Sequence, residues 1–495
     1  VGDLPDPDAA EAGVVPGLTD RGDSVDLVAF LHGNHGTVRQ LVTLALATEL
    51  VSHSDKAPAV LFDDIPGVPK GFRVLANIFG GKRKNMTLGF PAELDKVALS
   101  EAFSGAWDTD RLVPPVFVDS GPIFDNVITG DAVNVELFPT PKWHEGDGGR
   151  YIGTGTYSIT RDPEENWLNA GAYRAMVHDK TSVGILMAAG HHAAIHAEKY
   201  FKRGEPMPVA MVLGGDPLCF FYGGLEAPYG VFEIDVVGGL RGKAMKMVKG
   251  KVTGLPFPAH AEIVLEGYVS PDKRVVEGPF GEWTGHYAGG AKPCTVLDVK
   301  AVYHRNDPIM LGVPPMGGGP DEMARYRAVM RSATIKQNMT NAGVPEVQQV
   351  WCHEIGGARM FHGVSIKQRY PGHAVQAGHI AAQCGASAYA SKYIVVVDDD
   401  VDVTNLDHLL WAMLTRTDPK ESIQFIEGSW DSPADPRLTP EKRAKGDMTH
   451  SVAIIDACRP WTWRDKFPPA NTPSAETTRK AREKFGWLLD GKEKA

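Results

Sequence analysis

Between Pro139 and Tyr303 the chain is a succession of short β-rich runs cut by glycine and proline, and this stretch restricts the possible folds more than any other. The runs are YIGTGTYSIT, TSVGILMA, PMPVAMVLG, FEIDVVGGL, AEIVLEGYV and TVLDVKAVYH. Strands this dense, rich in β-branched residues and joined by turn residues, predict a barrel or split barrel. One helix interrupts them, HHAAIHAEKYFKRG, closing at Gly204 where a C-terminal glycine belongs.

At 495 residues the chain exceeds what one hydrophobic core sustains, so a mixed α+β and α/β multidomain protein is expected. Residues 1–25 carry turn residues and charge with little apolar periodicity and read as a flexible lead or an arm. Residues 26–125, with the helical stretch HGTVRQLVTLALATELVSH and the β-rich PAVLFDDI and RVLANIF, read as an N-terminal α/β domain. The split barrel occupies 126–312. The Pro/Gly cluster VPPMGGGPDE and the helical run DEMARYRAVMRSATIKQNMTNA make a linker and connecting helix over 313–345. Over 346–495, VQQVWC, VSIKQR, GHAVQAGHIAAQ and KYIVVVDDD alternate in βαβ fashion, predicting a C-terminal α/β domain. The amphipathic tail SAETTRKAREKFGWLLDG is suited to docking on a partner subunit, so a homodimer or larger homo-oligomer is expected.

Five scattered cysteines with no CxxC pair argue for a reducing compartment. With no apolar run of membrane-spanning length and no basic, apolar leader, a soluble cytoplasmic protein is expected. The net charge of -10 disfavours nucleic acid and requires local cations for any anionic substrate. No Walker loop is present, since GGGP precedes no GK[ST].

Three groups of residues can carry chemistry. Glu277 and Glu282 flank Gly-Pro-Phe-Gly, a turn that brings two carboxylates together beside Phe280 and Trp283. Crowding and desolvation raise carboxyl pKa values and would suit one of them to general-acid work, although two solvent-facing glutamates would share this spacing. Arg174 ends the apolar segment opened by Asn169, and its planar fork matches a carboxylate. Asn169, a histidine from the pair His191 and His192, and Glu233 in the run FEIDVV form a mixed O/N set suited to Mg2+ or Mn2+. Lys392, at the edge of strand YIVVV, could hold a phosphate, and Asp398-Asp399-Asp400 could bind a cation or cap a helix.

Taken in order, Asn-x4-Arg, His, Glu, Glu-Gly-Pro-Phe-Gly-Glu and Lys-x-Ile-Val-Val-Val-Asp-Asp-Asp closely resemble the UbiD-type decarboxylases. The likeness extends over roughly Pro139 to Pro468, through DGGRYI, RAMVHDK, AEIVLEG and IIDACRPW. The resemblance implies prenylated FMN, supplied by a separate flavin prenyltransferase and bound in a flavin-reductase-like split barrel, with Mn2+ or Mg2+ and K+ at its phosphate. Asn169, His191 and Glu233 match the metal ligands, His191 being preferred to His192 because H-x3-I-H fits His191 to His196. Lys392 matches the phosphate-binding lysine. Thr154, Ala172, Tyr173 and Arg174, with the turn Gly223-Gly224-Leu225-Glu226, match segments lining the cofactor.

Arg174, Glu277 and Glu282 match the catalytic set. The implied reaction is reversible non-oxidative decarboxylation: the modified flavin bonds to the substrate and accepts the electron pair as CO2 leaves. Arg174, oriented by Glu277, holds the carboxylate, and Glu282 delivers the replacing proton. A small residue at Gly190 and the Gly223-Gly224-Leu225 turn favour an aromatic or heteroaromatic acid, polycyclic ones included, over a cinnamic one. A split-barrel flavin oxidoreductase would share the strand pattern without needing the glutamate pair.

Overall fold

The computed structural model describes residues 59–489 apart from 64, 66, 189 and 226. The lead over 1–25, the helical stretch HGTVRQLVTLALATELVSH and Glu226 lie outside the described residues.

The β-rich middle forms one nine-stranded antiparallel sheet. Its order is Tyr151–Gly153, Ala175–Asp179, Ser182–Ile185, Lys292–His304, Ile263–Glu277, Met207–Leu213, Thr156–Arg161 and Leu168–Gly171, with Asn126–Thr129 beside the second half of Lys292–His304. The first and last strands in this order do not pair, so the sheet curls into a half-barrel without closing. Its spine is the 15-residue strand Ile263–Glu277, bent by irregularities at Glu266/Gly267 and Val269/Arg274. Gly267 is required at the first of these, because a Cβ there would stand 1.9 Å from the Asp298 carbonyl oxygen.

The run FEIDVVGGL is not the strand its β-branched residues predict but a helix, Glu233–Arg241, ended by Gly242 at φ 64°. Its apolar residues Phe232, Ile234, Val236 and Val237 are buried on every side, so their spacing carries no information about period. Tertiary packing decides: backbone at residues 111–113 lies directly on the helix, where a Cβ at Gly238 would meet the Val113 oxygen at 2.4 Å and one at Gly239 the Arg111 oxygen at 2.1 Å. Glu233 and Asp235 occupy the first turn, where the helix dipole favours acidic groups.

One face of the half-barrel, through Tyr157, Ile159, Val212 and Val264, packs on Phe220, Phe221, Ile234 and Val237 of this helix and its neighbour Pro217–Gly223. The other face encloses Tyr151, Tyr173, Met176, Met211 and Phe280 with Ala193 and Ala197 of helix His192–Lys202.

The C-terminal sheet has the order Val347–Cys352, Phe361–Ile366, Tyr393–Asp398, Thr449–Asp456, Ile423–Trp430. Its three central strands are parallel, with His373–Gln383 crossing between Phe361–Ile366 and Tyr393–Asp398 as the sequence predicts. Helix Glu322–Asn341, capped by the Asp321 carboxylate on Ala324 N–H at 2.7 Å, contributes Tyr326, Val329 and Ile335 to a core that also contains Tyr303 of the half-barrel and Trp351 and Val395 of the C-terminal sheet. The two sheets therefore share one continuous apolar core. A further small sheet joins Val60–Phe62 and Arg73–Ala76 to Ile309–Leu311. The aspartate triplet is held by arginines: Asp398 by Arg416 and Arg459, Asp400 by Arg416. No described helix is long and apolar enough to cross a membrane.

Gly267→Ala should destabilise the protein by about 1–3 kcal/mol, the usual cost of overpacking, measured as a lower urea midpoint with an unchanged m-value.

Candidate active site

The curl of the sheet brings Arg174, just ahead of strand Ala175–Asp179, against Glu277, the last residue of the spine strand. Arg174 Nε and Nη2 donate to the two oxygens of Glu277, each at 2.9 Å, and Nη1 donates to Glu282 Oε1 at 2.5 Å. Glu277 is fully buried, and Arg174 and Glu282 are only 11% and 13% exposed. Phe280 lies under the guanidinium at 4.8 Å and against the ring of Tyr151 at 4.4 Å. The Tyr151 hydroxyl donates to Glu277 Oε1 at 2.7 Å. Burial, aided by the Glu277 charge, pushes that hydroxyl far above its ordinary pKa, so it stays a donor. Burial opposes the charge on Arg174, but Glu282 and Glu277 more than offset it and hold the guanidinium ionised. The two carboxylates converge on a cation rather than on each other.

The segment between them is fixed at both ends. Asp147, 2% exposed, accepts from Gly281 N–H at 3.0 Å and from His144 N–H at 2.9 Å. Gly148 N–H donates to the Pro279 oxygen at 2.7 Å, and a Cβ at Gly148 would collide with the Gly278 oxygen. Further on, the Thr284 hydroxyl donates to the Ala434 carbonyl at 2.9 Å, and Trp283 turns away to sit under Arg359 beside Gly357. Tyr151 and Asp147 are site residues that spacing does not disclose; their one signal is membership of the segment DGGRYI.

A second polar group forms where strand Leu168–Gly171 meets helix Glu233–Arg241. Glu233, 2% exposed, accepts from Ala170 N–H at 2.7 Å, and burial pushes its carboxyl up to about 8. Among the described residues no Lys or Arg side chain acts on it. Asn169, also 2% exposed, donates to Thr160 Oγ1 at 3.3 Å, and Thr160 in turn is hydrogen-bonded to buried His196 at 2.9 Å. Tyr173 ties this group to the next helix, its hydroxyl bonded to Asn169 and accepting from Ala193 N–H. His191 caps that helix with its ring 6.3 Å from that of Tyr173. The ring of His192 packs instead between Trp167 and Tyr229. A buried carboxylate without a cation, an amide and an imidazole around one tyrosine make a donor set that fits a divalent metal.

Ala172 N–H donates to the Gly223 oxygen at 2.7 Å, and a side chain at Gly223 would strike Ala170, so this glycine lets the backbone close on the group, while one at Gly224 would strike Tyr326 of the connecting helix. Thr154 Oγ1 accepts from Val313 N–H at 3.2 Å. Lys392 points elsewhere, to Asp435 at 2.6 Å. Gly190 adopts φ 87°, a backbone reason for glycine, so its small size no longer argues for a roomy substrate site.

Residues 116–318 match the family model of the 3-octaprenyl-4-hydroxybenzoate carboxy-lyase Rift-related domain, and residues 326–457 that of its C-terminal domain. The chain is 31% identical over 447 residues to the pyrrole-2-carboxylic acid decarboxylase of Pseudomonas aeruginosa, covering 87% of each. The closed form of Sedimentibacter hydroxybenzoicus vanillic acid decarboxylase superposes with a TM-score of 0.77 at 28% identity, over 95% of this chain and 99% of that one. An evolved dimeric form of the UbiD-class enzyme HmfF from Pelotomaculum thermopropionicum, in complex with prenylated FMN, shares the fold with a TM-score of 0.73 at 24% identity, over 92% and 98% of the two chains. The family models and the decarboxylase relatives define a carboxy-lyase. The chain belongs to the UbiD family.

Glu233 stays protonated in the metal-free fold up to about pH 8, whereas the unfolded chain releases this proton at lower pH. The metal-free protein should therefore lose stability as pH rises from about 5 to about 8. Thermal unfolding with a chelator present measures the slope, which Glu233→Gln should flatten.

Proposed function

We propose that this protein catalyses reversible, non-oxidative decarboxylation of an aromatic or heteroaromatic carboxylic acid with prenylated FMN. The observation that carries the reading is the buried Arg174 fork held between Glu277 and Glu282. Pyrrole and vanillic acid decarboxylases among the relatives support the substrate class, and the prenylated FMN bound by HmfF supports the cofactor. A split-barrel oxidoreductase has no use for a bidentate arginine–glutamate pair backed by a tyrosine.

Asn169, His191 and Glu233 would hold Mn2+ or Mg2+ at the cofactor phosphate. His191 is preferred because the ring of His192 is taken up by Trp167 and Tyr229. Thr154, Ala172, Tyr173 and the Gly223-Gly224-Leu225 turn would line the cofactor, and Lys392 would exchange Asp435 for the phosphate. The same reading includes K+ beside that phosphate, a flavin prenyltransferase as supplier, and a homodimer or larger assembly, for which the exposed Phe425 and Trp430 of the C-terminal edge strand speak. When bound, prenylated FMN supplies the electron sink that no side chain offers.

The chain's own residues set the order of events. Glu277 takes two donors of Arg174 and fixes the plane of the guanidinium, leaving Nη1 as the variable contact. A substrate carboxylate that reaches Nη1 displaces the Glu282 carboxyl, which turns to the carbon about to lose CO2. Freed from Arg174, the Glu282 carboxylate takes up a proton from solvent; breakage of the C–CO2 bond leaves an electron pair, and that proton forms the C–H bond in its place. Phe280 and Tyr151 keep water from the fork.

Glu282→Gln should lower kcat by about 100-fold or more while FMN affinity stays within about twofold; full activity in this variant would refute the proton-donor role. Protein produced together with a flavin prenyltransferase should turn over phenolic or pyrrole-type acids faster than cinnamic acids in a CO2-release assay, and preference for cinnamate would overturn the substrate class.

A further inference from the structure

A third polar cluster lies at the edge of the C-terminal sheet, joined to the groups discussed above through Lys392, which pairs with Asp435, and through Ala434, which accepts from Thr284. Asp431 directly follows the edge strand Ile423–Trp430, and its N–H donates to the Met448 oxygen at 2.9 Å. His450 stands on the adjoining strand Thr449–Asp456, paired with Ser429. Asp435 closes the turn after Asp431 through Asp435 N–H on the Ser432 oxygen at 2.9 Å. One ligand-capable atom from each of Asp431, Asp435 and His450 falls within 4.8 Å of the others.

Proximity alone would mean little; the unmet bonding of these groups means more. Asp431 is fully buried, yet its Oδ2 accepts from no donor. The His450 side chain is 10% exposed, and neither ring nitrogen has a hydrogen-bond partner; Nδ1 stands 3.2 Å from Asp431 Oδ1 without hydrogen-bond geometry. The carboxyls of Asp431 and Asp435 also lie against each other. Among the described residues their ammonium neighbour is Lys392, which reaches Asp435 at 2.6 Å. Buried polar groups are almost always satisfied, and among the described residues Asp431 Oδ2 and both His450 ring nitrogens are not.

We propose that Asp431, Asp435 and His450 form a second divalent-cation site, taking a first-row ion of the Mn2+ type through two carboxylate oxygens and one imidazole nitrogen. This donor set suits such an ion better than Ca2+, which takes oxygens throughout. The ion satisfies Asp431 Oδ2 and a nitrogen of His450, and it takes over on Asp435 the charge compensation that Lys392 provides, releasing the lysine ammonium.

Mn2+ binding to the full chain, counted by equilibrium dialysis and electron paramagnetic resonance, tests this. In a Glu233→Gln background, which disables the first site, one Mn2+ per chain should remain, and adding Asp431→Asn or His450→Gln should abolish it. On the unaltered background the same two substitutions should lower the count by one, a comparison independent of how Glu233→Gln folds. Lys392→Met, which removes the competing cation, should tighten binding by about threefold or more. A count that neither Asp431→Asn nor His450→Gln changes would overturn the site, as would weaker binding in Lys392→Met.

Discussion

The bidentate contact between Arg174 and Glu277 is the constraint around which the half-barrel is arranged. A guanidinium buried to this degree is tolerable only when its donors are matched, since removing one partner of such a pair typically costs about 3–5 kcal/mol. The matching is supplied by strand geometry: Ile263–Glu277 must run its full irregular length to deliver a carboxylate opposite the residue that precedes Ala175–Asp179. Glu277 also accepts from the Tyr151 hydroxyl, which its burial keeps protonated.

Two buried glutamates in one protein thus sit in different surroundings because their neighbours differ. Glu277 has a guanidinium and a phenol for company and accepts from both. Glu233 has a backbone N–H and no cation, which leaves it protonated over much of the neutral range and open to a metal.

Much of this was legible before any coordinates. The helix His192–Lys202, the connecting helix capped by Asp321 and the C-terminal βαβ unit all follow from local period and capping, which act over a few residues. The proposed catalytic trio is different in kind: Arg174 and Glu277 are 103 positions apart, and in the sequence only the joint resemblance to a family brings them together. FEIDVVGGL was misread because burial on every side erases the periodic signal. Tyr151 and Asp147 are invisible to spacing because each acts through one long-range hydrogen bond. The small residue at 190 had two possible causes, space and backbone conformation, and composition cannot separate them; the positive φ does. The Asp431, Asp435 and His450 grouping depends on two antiparallel strands lying side by side, which no local pattern encodes.

The loop that carries Glu282 is moored on one side to Asp147 of the half-barrel and on the other to Ala434 of the C-terminal region. Neither mooring belongs to the loop, so the reach of the proposed proton donor is a property of how two parts of the molecule are seated on each other. A misplacement of about 1 Å in a reacting group can lower a rate on the order of a hundredfold. On the proposed mechanism, turnover is therefore also a gauge of how these two parts of the molecule are aligned.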